Sequence, residues 1–294
     1  MEFTKNLLEN LKDSGKNICV YSKELSIYLN DYNCKTFSNY STRSYYFWLH
    51  EKRPLPLDVV LKILDDKMLD NINVKYFSVG GGNKVNFPNE NDLRFCYFIG
   101  LILGDGCLVH RKRDANRNTY AIQIVFRKRK DAEKIKISVK DLFDVKSSIY
   151  PGVGDCFVLA VYSKPLVLIL NKKYQIPIGL KYNSLCVPNL FINGNASMKK
   201  AFLKGVFDSD GNLYAYRKSK AVQLRQKSKY FLDGIRDLLS EVELVFNNPY
   251  FDKANNSWLL WSSKKSLVDN FIKEIIDFKV NHAPVTQLDR VPAF

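Results

Sequence analysis

Asp105 and Asp210 each stand before a glycine at the end of an apolar stretch, and the two stretches are versions of one another. Phe98-Ile99-Gly100-Leu101-Ile102-Leu103-Gly104-Asp105-Gly106 recurs as Leu203-Lys204-Gly205-Val206-Phe207-Asp208-Ser209-Asp210-Gly211. A carboxylate at a helix C-terminus opposes the helix dipole, and two such ends brought together add like-charge repulsion. A divalent cation shared between them resolves both costs. The chemistry that suits a site of few carboxylates is metal-assisted hydrolysis with oxygen ligands. One Asp-Gly of this kind reads as an ordinary helix-to-strand turn, whereas two in matched contexts read as a site.

The elements that must position the pair are helices. Small residues recur at every fourth position, Cys96, Gly100 and Gly104 in the first copy and Ala201, Gly205 and Ser209 in the second. That spacing lines one helix face, and two such faces can bring backbones unusually close. Each helix is expected to run to its aspartate and to end at Gly106 or Gly211 in the left-handed conformation.

Both stretches resemble the signature of the LAGLIDADG homing endonucleases, in the form with two motifs on one chain. They depart from it at Leu103, Gly104, Lys204 and Ser209 and keep the final Asp-Gly. The resemblance spans residues 89 to 280 and implies an α+β fold, with two pseudo-symmetric αββαββα half-domains forming a DNA-binding saddle. It carries over Asp105 and Asp210 as catalytic, metal-binding acids, with the backbone of Gly104 and Ser209 as further metal ligands and Mg²⁺ or Mn²⁺ as cofactor. Family members also place a lysine at the end of a strand near each phosphate, matched here by Lys164 and Lys264. A further catalytic position, polar and on the strand before the second helix, is filled by Gln226. The first half holds Phe126 and Arg127 there, so the two half-sites are unequal.

Composition agrees with a polyanionic partner. The 294 residues carry a net charge of +15, with 12 Lys and Arg against 10 acids in residues 1 to 85 and 33 against 20 beyond. Charge spread over a long surface favours nucleic acid over an acidic small molecule, because neutralised phosphates release counterions. Six cysteines without a CxxC pair and three histidines indicate neither a zinc site nor a disulfide framework. No apolar run is long enough to cross a bilayer, and the polar, acidic N-terminus is unlike a secretory signal, so the expected setting is intracellular: cytoplasm, nucleoid or organelle.

Residues 1–79 read as a small all-α accessory domain resembling helix-turn-helix domains. Its helices are expected at 4–13, 22–30, 41–51 and 56–66, with a short possible strand at 74–79. Arg43 and Tyr45 lie on the candidate recognition helix. Gly80-Gly81-Gly82 opens a flexible linker, 80–88. The first half follows at 89–195, the second at 196–281, and a tail occupies 282–294. Each half pairs its motif helix with alternating strands rich in basic and amide side chains, which suit base edges in a major groove. The candidate DNA contacts are Arg111, Lys112, Arg113, Arg117, Gln123, Arg127 and Lys128 in the first half. In the second they are Tyr214, Tyr216, Arg217, Lys218, Lys220, Gln223, Arg225 and Lys227.

The reading these observations favour is a monomeric, metal-dependent endonuclease acting on double-stranded DNA at a long pseudo-palindromic site. The family implies a mobile element engaged in intron homing. Two alternatives use the same scaffold: an intron RNA-splicing maturase, and a DNA-binding regulator that no longer cleaves.

Overall fold

The computed structural model describes residues 1–280 except 15–16, 81, 115–116, 182–183 and 217–218, and leaves the side chains of 14, 113, 114, 117, 215, 216 and 219 undescribed. The N-terminal region runs β1 (Glu2–Thr4), α1 (Lys5–Ser14), β2 (Ile18–Tyr21), α2 (Lys23–Tyr28), α3 (Thr42–Leu49), β3 (Leu55–Pro56), α4 (Leu57–Asp66), β4 (Asn71–Asn73), β5 (Tyr76–Val79) and β6 (Val85–Asn86). Its four helices lie within a few residues of the expected ones. The region is nevertheless not all-α, since β3, β2, β5 and β6 form a four-stranded sheet and β1 pairs with β4. Ile18-Cys19-Val20 is a continuous buried apolar run, and a strand paired on both sides accommodates it without an amphipathic period.

The described part of the glycine-rich segment turns back on the domain. Val85 pairs with Phe77, and Phe87, two residues on, meets Phe3 and Phe77 at ring-centroid distances of 6.1 and 6.0 Å. On its other side Phe87 meets Phe143 of the following half at 5.7 Å. This aromatic wedge joins the two regions, where a flexible joint was expected.

The first half comprises α5 (Leu93–Leu103), β7 (Gly106–Asp114), β8 (Arg117–Phe126), α6 (Arg129–Phe143), β9 (Ser147–Pro151), β10 (Phe157–Tyr162) and α7 (Lys164–Tyr174). After α8 (Asn189–Ile192), the second half repeats it as α9 (Ala196–Asp210), β11 (Gly211–Tyr216), β12 (Ser219–Gln226), α10 (Lys229–Glu241), β13 (Tyr250–Asp252), β14 (Ser257–Ser262) and α11 (Lys265–Phe271), which runs into a π-helical turn at Ile272–Ile276. Both sheets are antiparallel with matching orders, β7-β8-β10-β9 and β11-β12-β14-β13. Ile122, Ile124 and Phe126 of β8, with Leu159 and Val161 of β10, are buried toward the helices, so the alternate residues face outward. No helix of the described residues is long and apolar enough to cross a membrane.

α5 and α9 pack on each other along the small-residue face. Gly100 and Gly205 meet there, and a Cβ built on Gly100 would lie 2.9 Å from the Val206 nitrogen and 3.0 Å from the Gly205 Cα. A polar cluster is buried in the same seam. The Tyr97 hydroxyl donates to Asp208 Oδ2 at 2.9 Å, Lys204 Nζ lies 3.3 Å from that oxygen, and Lys204 also donates to the Ile276 carbonyl at 2.7 Å.

Candidate active site at the paired helix ends

The seam carries both motif aspartates to one place. A Cβ on Gly104 would fall within 2.6 Å of Ser209 Cβ and 3.4 Å of Asp210 Oδ2, so the end of α9 rests against the end of α5 with no side chain between. Ser209 turns its hydroxyl back into its own helix, donating toward the Gly205 and Val206 carbonyls at 2.9 Å each. Asp105 and Asp210 are both half-buried.

The two ends differ from expectation and from each other. α9 reaches Asp210, but α5 stops at Leu103, and Gly104 leaves the helix at φ −83°, ψ −105°. Neither Gly106 nor Gly211 is left-handed: Gly211 has φ −72°, ψ 154°, and each glycine starts a strand. Their need is steric. The strand doubles back across the last helical turn, and a Cβ on Gly106 would sit 2.6 Å from the Ile102 Cα, one on Gly211 2.8 Å from that of Phe207.

Lys181, from the segment joining the halves, occupies the end of α5. Its ammonium donates to the carbonyls of Ile102 at 3.0 Å and Leu103 at 2.9 Å and also to that of Gly104. Those are terminal carbonyls of a helix with few partners of their own, and a cation there is favoured by the dipole. Burial pushes the Lys181 pKa below the ordinary lysine value, while the charges of Asp210, Cys107 and Asp105 pull it back up. The sequence reading did not single out Lys181. It is a lone lysine in a connector without periodicity, and the signal at hand was its place just after Gly179, where φ is +86° and the backbone nitrogen donates to the Leu108 carbonyl.

Gln226, at the end of β12, donates through Nε2 to Asp210 Oδ2. In the first half Phe126 fills that position and is buried, so the two acids have unlike neighbours.

Lys164 and Lys264 do not reach the acids. Asp105 abuts the β8 residue Val125, whereas β10 runs antiparallel from Phe157, opposite Phe126, to Tyr162, opposite Ala121. At about 3.3 Å per residue, Lys164 lies some 20 Å up the sheet from Asp105. β14 does the same from Trp258 opposite Gln226 to Ser262 opposite Val222, which carries Lys264 away from Asp210. Lys164 instead sits 5.7 Å over the ring of Tyr120, with its pKa lowered by burial.

The outward sheet faces hold part of the predicted nucleic-acid set. Arg111 and Gln123 share one face of the first sheet, and Gln123 donates to the Tyr150 hydroxyl at 2.8 Å. Tyr214, Gln223 and Arg225 share one face of the second, where Gln223 donates to the Tyr214 hydroxyl at 2.7 Å and Arg225 to Asp252 at 2.5 Å. Lys112 and Lys220 fall on the other faces by strand alternation, Lys112 with Leu108 and His110, and Lys220 beside Asp269 of α11 at 3.7 Å. Arg127, Lys128 and Lys227 are exposed in the turns after the strands. Arg217 and Lys218 lie outside the described residues, as do the side chains of Arg113, Arg117 and Tyr216. On α3, Arg43 is exposed and lies 5.4 Å over the Phe47 ring. Tyr45 is a packing residue: its hydroxyl donates to the Leu29 carbonyl at 2.8 Å and the Tyr32 carbonyl at 2.6 Å, which ties α3 into its own domain.

Two motif helices paired through glycines, each leading into a four-stranded antiparallel sheet, give the chain the fold of LAGLIDADG proteins, with both motif helices on one polypeptide. The model of the LAGLIDADG-like domain matches residues 197–275. Solved structures with this fold include mesophilic variants of the homing endonuclease I-DmoI, at TM-score 0.54 and 20% identity over 69% of this chain and 100% of that one. I-DmoI in complex with DNA and Ca is similar at TM-score 0.52 and 21% identity, covering 67% and 95%. Among curated proteins, the chain is 25% identical over 202 residues to the glutamine–fructose-6-phosphate aminotransferase of Methanocaldococcus jannaschii, covering 67% of this chain and 17% of that protein. It is also 25% identical over 177 residues to the RNA polymerase subunit Rpo1C of the same organism, covering 60% and 19%. The chain therefore spans less than a fifth of the length of these relatives.

Proposed function

We propose that this protein is a site-specific endonuclease that hydrolyses both strands of double-stranded DNA with a divalent metal, acting as a monomer. The observation that carries the reading is the meeting of Asp105 and Asp210 at the ends of α5 and α9, with Gln226 bonded to Asp210 and Lys181 bonded to the carbonyls at the end of α5 beside them. The segment is shared with an aminotransferase and an RNA polymerase subunit, two proteins of unlike name, over less than a fifth of each. A compact unit found inside such different proteins accords with a mobile element.

The donor set fits Mg²⁺ or Mn²⁺. Both motif acids offer hard oxygens at one point, and among the described residues no group of three or more His, Cys, Asp and Glu could hold a metal by protein ligands alone. Such a site leaves positions for water and phosphate oxygens, as Mg²⁺ sites of few carboxylates do. Asp105 and Asp210 would hold the metal, which when bound neutralises charge building on the phosphate and acidifies an attacking water. The Gly104 carbonyl, expected as a ligand, is held by Lys181 instead.

The chain's own residues supply orientation and charge. Gln226 fixes the rotamer of Asp210 through its amide. Lys181 puts a positive charge beside both acids and beside the phosphate that would lie across them. The sheet residues Arg111, Gln123, Tyr214, Gln223 and Arg225 offer donors and acceptors of the kind that read base edges.

The test is incubation with Mg²⁺ and a genomic or randomised DNA library, beside the Asp105→Asn/Asp210→Asn double variant, with sequencing of new ends. Recurrent paired ends absent with the variant are expected. Equal ends with both proteins, or none with either, would remove the endonuclease reading.

A further inference from the structure

The lysine that the motif alignment assigned to catalysis lies instead in a crevice at the outer end of the first sheet. The crevice, of about 550 Å³, runs between the β5–β6 hairpin of the N-terminal region and the ends of β9 and β10. Lys84, Lys146 and Lys164 line it from three separate segments. Its acid, Asp144, forms an ion pair with Lys140, so the crevice as a whole remains cationic. Lys84 is braced 4.8 Å over Tyr76 and Lys164 over Tyr120, each ammonium held against an aromatic face. Tyr162 and Ser148 form the lip. Both lie on the face of the first sheet that carries Gln123, since Ala160 pairs with Gln123 on one side and with Ser148 on the other.

From this arrangement we infer that the crevice grips the sugar-phosphate backbone of the DNA flank on the first-half side, extending the footprint of the outward sheet face. The inference rests on the endonuclease reading. At some 20 Å from Asp105 along the strands, the contact falls about six base pairs from the cleavage centre at 3.4 Å per base pair. A phosphate duplex suits the chemistry better than a small anion, because the lysines are spread along an open cleft and none forms a closed cage. The hairpin that supplies Lys84 gives the N-terminal region a part in binding through its sheet edge.

The test compares wild type with the Lys84→Ala/Lys146→Ala/Lys164→Ala variant on a 40-base-pair duplex containing the site recovered from the cleavage selection, in Ca²⁺. Affinity is measured from 50 to 200 mM salt, with hydroxyl-radical footprints. Three lost phosphate contacts reduce the slope of log K against log salt by about 2.7, so the variant's affinity falls roughly 40-fold less over that range. Protection is expected to vanish on one flank and to persist at the centre. A slope equal to that of wild type, or an equal change in a control lacking the exposed Lys253, Lys273 and Lys279, would overturn the inference. If the triple variant does not fold, the exposed single variants Lys84→Ala and Lys146→Ala serve, each expected to lower the slope by about 0.9. Wild-type protein with no affinity for duplex DNA would remove the endonuclease reading itself, whereas binding with an unaltered flank removes only the crevice.

Discussion

Replacing Gly100 by alanine sets two effects of opposite sign against each other. Alanine is the better helix former, by about 0.5–1 kcal/mol in a helix interior. Its methyl group, however, would lie 2.9 Å from the Val206 nitrogen and 3.0 Å from the Gly205 Cα, and closer still to the Phe202 carbonyl. All three neighbours are backbone, so no rotamer can give way and α5 must move from α9 by about 1 Å to restore van der Waals contact. Overpacking of this kind costs about 1–3 kcal/mol, with rigid backbone at the upper end. The balance is a loss of about 2 kcal/mol, which at about 2.1 cal/mol/K of unfolding entropy per residue lowers Tm by about 3 °C for a chain of 294 residues. The same shift separates Asp105 from Asp210, and a displacement near 1 Å at reacting groups can lower the rate about 100-fold. Thermal unfolding by circular dichroism and single-turnover cleavage measure the two consequences. A Tm equal to or above wild type, as helix propensity alone would give, would refute the claim that the backbones are in contact here.

Lys181→Met removes the cation beside both acids and is expected to slow single-turnover cleavage by about 10²–10³-fold, with a much smaller loss of DNA affinity measured in Ca²⁺. Gln226→Leu makes the second half resemble the first, where Phe126 stands; cleavage of one strand should slow about 10-fold or more, and nicked plasmid should accumulate, whereas equal slowing of both strands would contradict the assignment. Burial raises the Cys96 thiol to about 12, and it donates to the Glu90 carbonyl. Iodoacetamide at pH 8.5, followed by peptide mass spectrometry, should therefore label Cys34, Cys156 and Cys186 in the native protein and leave Cys96 unmodified, since the thiolate is the reacting form.

The parts legible in the sequence were those encoded locally. The four-residue spacing of Gly100 and Gly104 with Gly205 and Ser209 gave the seam, and the alternation in β8 and β12 gave the hairpins, because each pattern repeats within one element. The offset of 100 residues also matched Lys164 with Lys264 as strand-end lysines. It did not say at which end of the sheet they stand, which depends on antiparallel register between segments some 40 residues apart. Lys181 was missed for a related reason: it contacts α5 from 78 residues away through a connector with no period of its own. The strands of the N-terminal region are two to four residues long and set among strong helix signals, so pairing across the domain decides them.

The buried cluster of Tyr97, Asp208 and Lys204 makes the two halves non-interchangeable. At the corresponding places the first motif helix carries Ile99 and Leu103, and the second carries Phe202 where the first has Tyr97. An α9 offered another α9 would thus bury the Asp208 carboxylate opposite Phe202, without a hydroxyl to donate to it. Lys204, on the same helix, stays beside Asp208, so the loss is one hydrogen bond to a buried charged group, about 1.5–3 kcal/mol. Each half accordingly recognises the other and rejects a copy of itself, which suppresses exchange of halves between molecules. Once mutual recognition is fixed in the seam, the two outward sheet faces are released from symmetry, and each can drift toward its own sequence without endangering the union of the pair.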